Sequence, residues 1–177
     1  GAHRRTCQQG RLSSAGVGPH GLPQCAKIRR HVGVASGPQV KLVVDNSVAM
    51  RWLFADGSEA DRQYASQVAA LVETCDVHVP ALFITEAANV ISRALKVGVI
   101  TPQECESIFD LLHAMQASVE PIDSTQSAML LAITAFEEGL SAYDATYLLL
   151  AKKLGCPLAT LDKDLRRAAK HCGVEIA

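Results

Sequence analysis

From Val40 onward, short runs of β-branched and aliphatic residues alternate with longer segments of helical periodicity, and that alternation leaves few folds open. The strand-like runs fall at 41–44, 77–79, 119–122, 157–161 and 174–176. Helices are predicted between them over 48–54, 58–75, 81–97, 101–115, 123–138, 141–154 and 162–171. Local chemistry marks the boundaries. Ser58 with Asp61, and Thr101-Pro102 with Glu104, form capping boxes. Pro80 suits the first position of a helix, Asp123 and Gln126 cap another, and Gly98, Gly139 and Gly155 stop three more. Strands joined by crossover helices pair in parallel with a right-handed connection. The expected class is therefore α/β, with a central, mostly parallel sheet in a three-layer α/β/α sandwich.

Residues 1–38 break this pattern. Glycine and proline cut every apolar run there, and six basic residues face no acid. Such a segment buries too little to offset its ordering entropy, so it is expected to be a disordered or non-native tail before a domain spanning 39–177. A basic arm for nucleic acid is the sharper reading of the same residues. The domain itself holds 11 basic residues against 18 acidic ones, so its surface is acidic. No apolar run approaches the ~20 residues of a membrane span. The six cysteines form no C-x-x-C pair and lack finger-like spacing to histidine, Cys172 merely following His171, so zinc is not expected and the scattered pattern fits reduced thiols in a cytoplasmic protein.

Four of the acids fall where chemistry gathers in a parallel sheet. The run Leu42-Val43-Val44 delivers Asp45 at a strand's carboxyl end, and Leu158-Ala159-Thr160-Leu161 runs into Asp162. Asp144 lies in the first turn of the helix opened by Ser141, and Glu86 in the second turn of the helix after Pro80. Strand ends and the helix starts that follow them share one edge of such a sheet, so all four point at one rim. Each has a plainer explanation: Asp45 and Asp162 as helix caps, Asp144 as the return partner of Ser141. Glu86 is harder to explain away, because it interrupts an apolar stretch where a carboxylate is costly unless paired. Four acids on one rim repel, and a divalent cation offsets that; oxygen-only ligands favour Mg²⁺ or Mn²⁺ over zinc.

Asp45-Asn46-Ser47, Glu86 with Asn89 one turn on, Ser141-x-x-Asp144-Ala145 and Thr160-x-Asp162 resemble the PIN-domain pattern. Their spacing over residues 40–177 is similar to that of VapC-type ribonuclease toxins. The resemblance implies a Mg²⁺-dependent endoribonuclease, usually dimeric, neutralised by a cognate antitoxin and leaving 5′-phosphate and 3′-hydroxyl ends. Asp45, Glu86, Asp144 and Asp162 would then be the catalytic and metal-holding residues, with Ser47, Thr160 and Asn89 supporting them. Asp164 competes for the fourth acid, but the Thr160-x-Asp spacing selects Asp162. Asn46 occupies a position tolerant of many residues, and the basic tail has no counterpart in the family.

Lys163, Arg166, Arg167 and Lys170 share one helix face and are candidates to contact RNA phosphates, although a solvated face explains them as well. Arg51 is a second candidate, with Trp52 expected in the core. Surplus apolar surface on the helices starting at 81 and 101 suggests a homodimer or an antitoxin segment, against a simply thick core. Two other classes compete. A haloacid-dehalogenase phosphatase would need an Asp where Ser47 stands, and a non-catalytic PIN-fold binding module would be expected to have lost an acid. With aromatics only 5% of the chain, no base-stacking platform is visible, so the RNA sequence cut is not legible.

Overall fold

A computed structural model describes residues 39–54 and 56–177; the expectation for the tail lies outside the described residues. In chain order the elements are β1 (Lys41–Val44), α1 (Asn46–Leu53), α2 (Glu59–Val72), β2 (Asp76–Pro80), α3 (Leu82–Lys96), α4 (Pro102–Ala114), β3 (Ser118–Glu120), α5 (Thr125–Glu138), α6 (Ala142–Leu154), β4 (Leu158–Ala159) and α7 (Lys163–His171). They form a three-layer α/β/α fold around a sheet of order β3-β2-β1-β4, parallel at every pairing.

β1 is a central strand, with Leu42, Val43 and Val44 buried. That is why it reads as a continuous apolar run rather than an alternating one. α6 packs across β1, β2 and β4, burying Ala145, Tyr147, Leu148 and Ala151. Its end is set by Gly155, whose φ of 61° is left-handed and suits a residue without Cβ. Trp52 is in the core as expected, its indole N–H donating to the Ala65 carbonyl at 2.7 Å.

Several boundaries differ from expectation for local reasons. α1 begins at Asn46, not at 48, because the Val48 and Ala49 amides already reach the Asp45 carbonyl. Pro80 is not a helix start: it ends β2, a ladder position where a missing N–H is tolerated. At α5 the cap is Ser124, whose Oγ accepts from the Ser127 amide, while Asp123 takes only the Ser127 hydroxyl. β4 is just two residues long, and beyond Thr160 the amides of Leu161 and Asp162 turn to side-chain hydroxyls instead of a neighbouring strand. The segment 174–176 contributes a single parallel bridge, Leu158 to Ile176.

The apolar surplus is also redistributed. Ile84, Val97 and Phe109 are exposed on or beside α3 and α4, as anticipated. The larger share is on α5, which buries none of its residues and leaves Met129, Leu130, Ile133 and Phe136 exposed, Phe136 at 86%. Among the described residues no helix is long and apolar enough to cross a membrane.

Candidate active site

The order β3-β2-β1-β4 means that the chain builds outward from β1 in one direction and then returns to add β4 on its other side. Loops leaving the carboxyl ends of β1 and β4 diverge at that point and open a crevice. Asp45 sits there, its amide donating to the Ala159 carbonyl at 2.9 Å, and its side chain is buried. Both Ser47 Oγ, at 2.5 Å, and Thr160 Oγ1, at 2.6 Å, donate to Asp45 Oδ2. Each hydroxyl in turn accepts a backbone N–H, from Leu161 to Ser47 at 3.0 Å and from Asp162 to Thr160 at 3.1 Å. Such chains polarise their members, so the two hydroxyls are committed as donors to the carboxylate.

Glu86 reaches the crevice from α3. Its Oε2 accepts the Tyr147 hydroxyl at 2.5 Å, and Tyr147, one turn after Asp144 on α6, is buried. Asn46 ties α1 to α3 by donating Nδ2 to the Phe83 carbonyl at 3.0 Å, and its Oδ1 is buried without a donor. Asp144 keeps part of its capping role: Ser141 Oγ accepts the Asp144 amide at 3.0 Å and donates to Asp144 Oδ2 at 2.6 Å. Asp162 is likewise a true cap, its Oδ1 accepting the Leu165 amide at 2.8 Å while Oδ2 takes no donor among the described residues. Capping and convergence are thus compatible, because in Asp144 and Asp162 the cap contact takes one oxygen and leaves the other without a donor among the described residues.

All four carboxylates line one cavity of about 450 Å³. Burial pushes the Asp45 carboxyl above its ordinary range, against the pull of the Ser47 and Thr160 hydrogen bonds, and the Asp144 charge adds to the rise. Burial also raises Glu86, opposed by the Tyr147 hydrogen bond and reinforced by the charges of Asp45 and Asp144. Asp45 and Glu86 therefore each sense the charge of acids carried by distant elements.

The other expected residues divide. Asn89 lines the cavity but makes no side-chain hydrogen bond among the described residues. Asp164 does not line it, pairing instead with Arg167 at 2.5 Å. Arg166 and Arg167 are engaged within the fold. Arg166 Nε donates to the Thr160 carbonyl at 2.6 Å, and its guanidinium lies 4.3 Å over the Tyr64 ring. Arg167 also donates to the Glu138 carbonyl at 3.1 Å. Lys163 and Lys170 are exposed. Arg51 lines the cavity and is ion-paired with Asp56, a cavity residue that the sequence did not single out. Tyr147 and Asn46 were missed as site residues too. Tyr147 had a faint signal, a polar ring three residues from Asp144 and so on the same helix face.

The donor set is suited to a hard cation. The four carboxylates offer oxygen only, two of them resist ionisation through burial and mutual repulsion, and the orphaned Asn46 Oδ1 belongs to a residue lining the same cavity. A divalent ion would offset all three, and oxygen ligation fits Mg²⁺ or Mn²⁺.

This fold, with acids gathered at the switch between β1 and β4, defines a parallel α/β domain with an acidic crevice. The chain belongs to the PIN domain family, which matches residues 42–171. In fold it is similar to PAE2754 from Pyrobaculum aerophilum, at 22% identity and a TM-score of 0.52 over 73% of this chain and 79% of that one. FitAcB from Neisseria gonorrhoeae aligns at 20% identity and a TM-score of 0.46, over 76% of this chain and 95% of that one. No curated protein matches the chain.

Proposed function

We propose that residues 39–177 form a Mg²⁺- or Mn²⁺-dependent endoribonuclease, the toxin of a toxin–antitoxin pair. The observation that carries the nuclease reading is the convergence of Asp45, Glu86, Asp144 and Asp162 on one cavity, with Asp45 buried and doubly supported. PIN domains are typically nucleases, which agrees with it. The toxin assignment rests on the VapC-like spacing of the motifs, and the antitoxin and homodimer partners follow from the same likeness and from the exposed apolar face of α5.

In this reading Asp45 and Asp144 hold the ion directly, with Glu86 and Asp162 completing the site through an oxygen or a water. When bound, the ion makes water a competent nucleophile at neutral pH and neutralises charge on the phosphoryl oxygens. The protein's own part is positional. Ser47 and Thr160 fix the Asp45 carboxylate and favour its ionised form, and Tyr147 does the same for Glu86. Lys163 and Lys170 are the cations of α7 left to meet phosphates.

The test is cleavage of a mixed RNA pool by the purified protein. Mg²⁺-dependent cleavage, stopped by EDTA and by Asp45→Asn, is expected. Binding without cleavage would instead make the domain a non-catalytic PIN-fold module.

A further inference from the structure

A second group of ligating side chains lies away from the acidic crevice. Glu138 is the last residue of α5, His171 the last of α7, and Cys172 caps α7. His171 Nδ1 is 3.0 Å from Glu138 Oε1 and 2.9 Å from Oε2, and Cys172 Sγ is 3.4 Å from Oε1. One ligand atom from each residue lies within 4.8 Å of those from the other two. Ligand atoms about 2.0–2.3 Å from a tetrahedral zinc sit on the order of 3–4 Å apart, so the three side chains are close enough to converge on one ion with small rotations. The Glu138 side chain is only 12% exposed, whereas His171 is 76% exposed and open to an entering ion.

Two features of the backbone favour a cation here. α5 and α7 both end at the cluster, and each helix C-terminus presents the negative end of its dipole. Arg167 is the nearby competing charge: it pairs with Asp164 but also donates to the Glu138 carbonyl at the end of α5. We propose that Glu138, His171 and Cys172 form a binding site for a borderline divalent cation of the Zn²⁺ class, distinct from the oxygen-only crevice, that ties α5 to α7. A thiolate and an imidazole select against Mg²⁺, and three protein ligands leave a fourth position for water or an external ligand. Such a clamp matters for α5, because that helix buries none of its own residues. On binding, the Cys172 thiol gives up its proton to solvent as the metal–sulfur bond forms, and the proton that His171 Nδ1 shares with Glu138 moves to Nε2 or to solvent as the metal–nitrogen bond forms.

The test is Co²⁺ titration of the full chain, with the thiolate-to-cobalt charge-transfer absorption as readout and Zn²⁺ as competitor. The probe is independent of nuclease activity and is run also on Asp45→Asn. Residues 1–38 hold Cys7, Cys25 and further histidines, so variants locate the signal. The band should be present in wild type and Asp45→Asn and absent from Cys172→Ser. In His171→Gln, a change at an exposed side chain whose folding is checked by thermal denaturation, affinity should fall by more than the roughly 10–100-fold that loss of an outer-shell partner costs. No thiolate band in wild type, or a band undiminished in Cys172→Ser, or affinity unchanged in His171→Gln, overturns the site.

Discussion

Tyr147 donates its hydroxyl to Glu86 Oε2 at 2.5 Å across 61 residues of sequence, joining α6 to α3 behind the acidic crevice that Glu86 lines. The bond lowers the pKa of a carboxyl that burial pushes upward. Tyr147→Phe removes it without changing the ring packing. The Glu86 pKa should then rise further, and the acid limb of the cleavage pH profile should move to higher pH. Stability should fall by roughly 1–2 kcal/mol, as for loss of a hydrogen bond to a partly solvated charge. An unmoved acid limb would separate Glu86 from the reaction.

Asp45 sets function against stability. Its folded pKa is raised, so the contribution of its protonated form is complete below the unfolded pKa and is lost as pH rises through the folded value. At neutral pH without metal the ionised group therefore destabilises the fold. Asp45→Asn, which still accepts from Ser47 and Thr160, should raise Tm at pH 7 by about 2–4 °C for each kcal/mol recovered. The gain should vanish as pH falls into the carboxylate range, and cleavage should be lost at every pH. A Tm equal to wild type at pH 7 would contradict the burial argument.

Added Mg²⁺ should distinguish wild type from the acid variants. Binding to the native state alone stabilises by about 2.7 kcal/mol at a hundred times the dissociation constant. Wild type should gain Tm with Mg²⁺ or Mn²⁺, and EDTA should reverse the gain. Asp45→Asn and Asp144→Asn should gain little. Equal gains in all three, measured by thermal denaturation, would move the ion elsewhere.

The basic residues of α7 should separate into two kinds. Arg166 is held by the Thr160 carbonyl and the Tyr64 ring, so Arg166→Gln should destabilise the fold and loosen the loop that carries Thr160. Lys163→Gln with Lys170→Gln should leave stability within about 0.5 kcal/mol. The same pair should flatten the dependence of RNA binding on salt, by about 0.7 in log–log slope for each single-strand phosphate no longer neutralised. An unchanged slope would return the lysines to a solvated face.

The exposed apolar face of α5 should govern self-association. Met129→Glu with Phe136→Glu replaces two exposed side chains and should leave the fold intact. Light scattering should show a wild-type dimer and a monomeric variant. A wild-type monomer at all concentrations would remove the dimer.

Sequence alone determined a good deal here. The Leu42-Val43-Val44 run reads as a buried strand with Asp45 at its carboxyl end, and the structure has it so. Ser58 with Asp61 and Thr101 with Glu104 fixed two helix starts, because capping is chemistry between residues three apart. Local signals failed where tertiary interactions competed. Pro80 finished a strand, and beyond Thr160 the amides of Leu161 and Asp162 turned to the hydroxyls of Ser47 and Thr160 instead of a neighbouring strand. Only the folded chain decided that both hydroxyls share one oxygen of Asp45. It alone paired Tyr147 with Glu86, turned Arg166 inward, and brought Glu138 to His171 and Cys172. The reason is common to all of these: periodicity specifies which face a residue occupies, while strand order and helix docking specify which other face it meets.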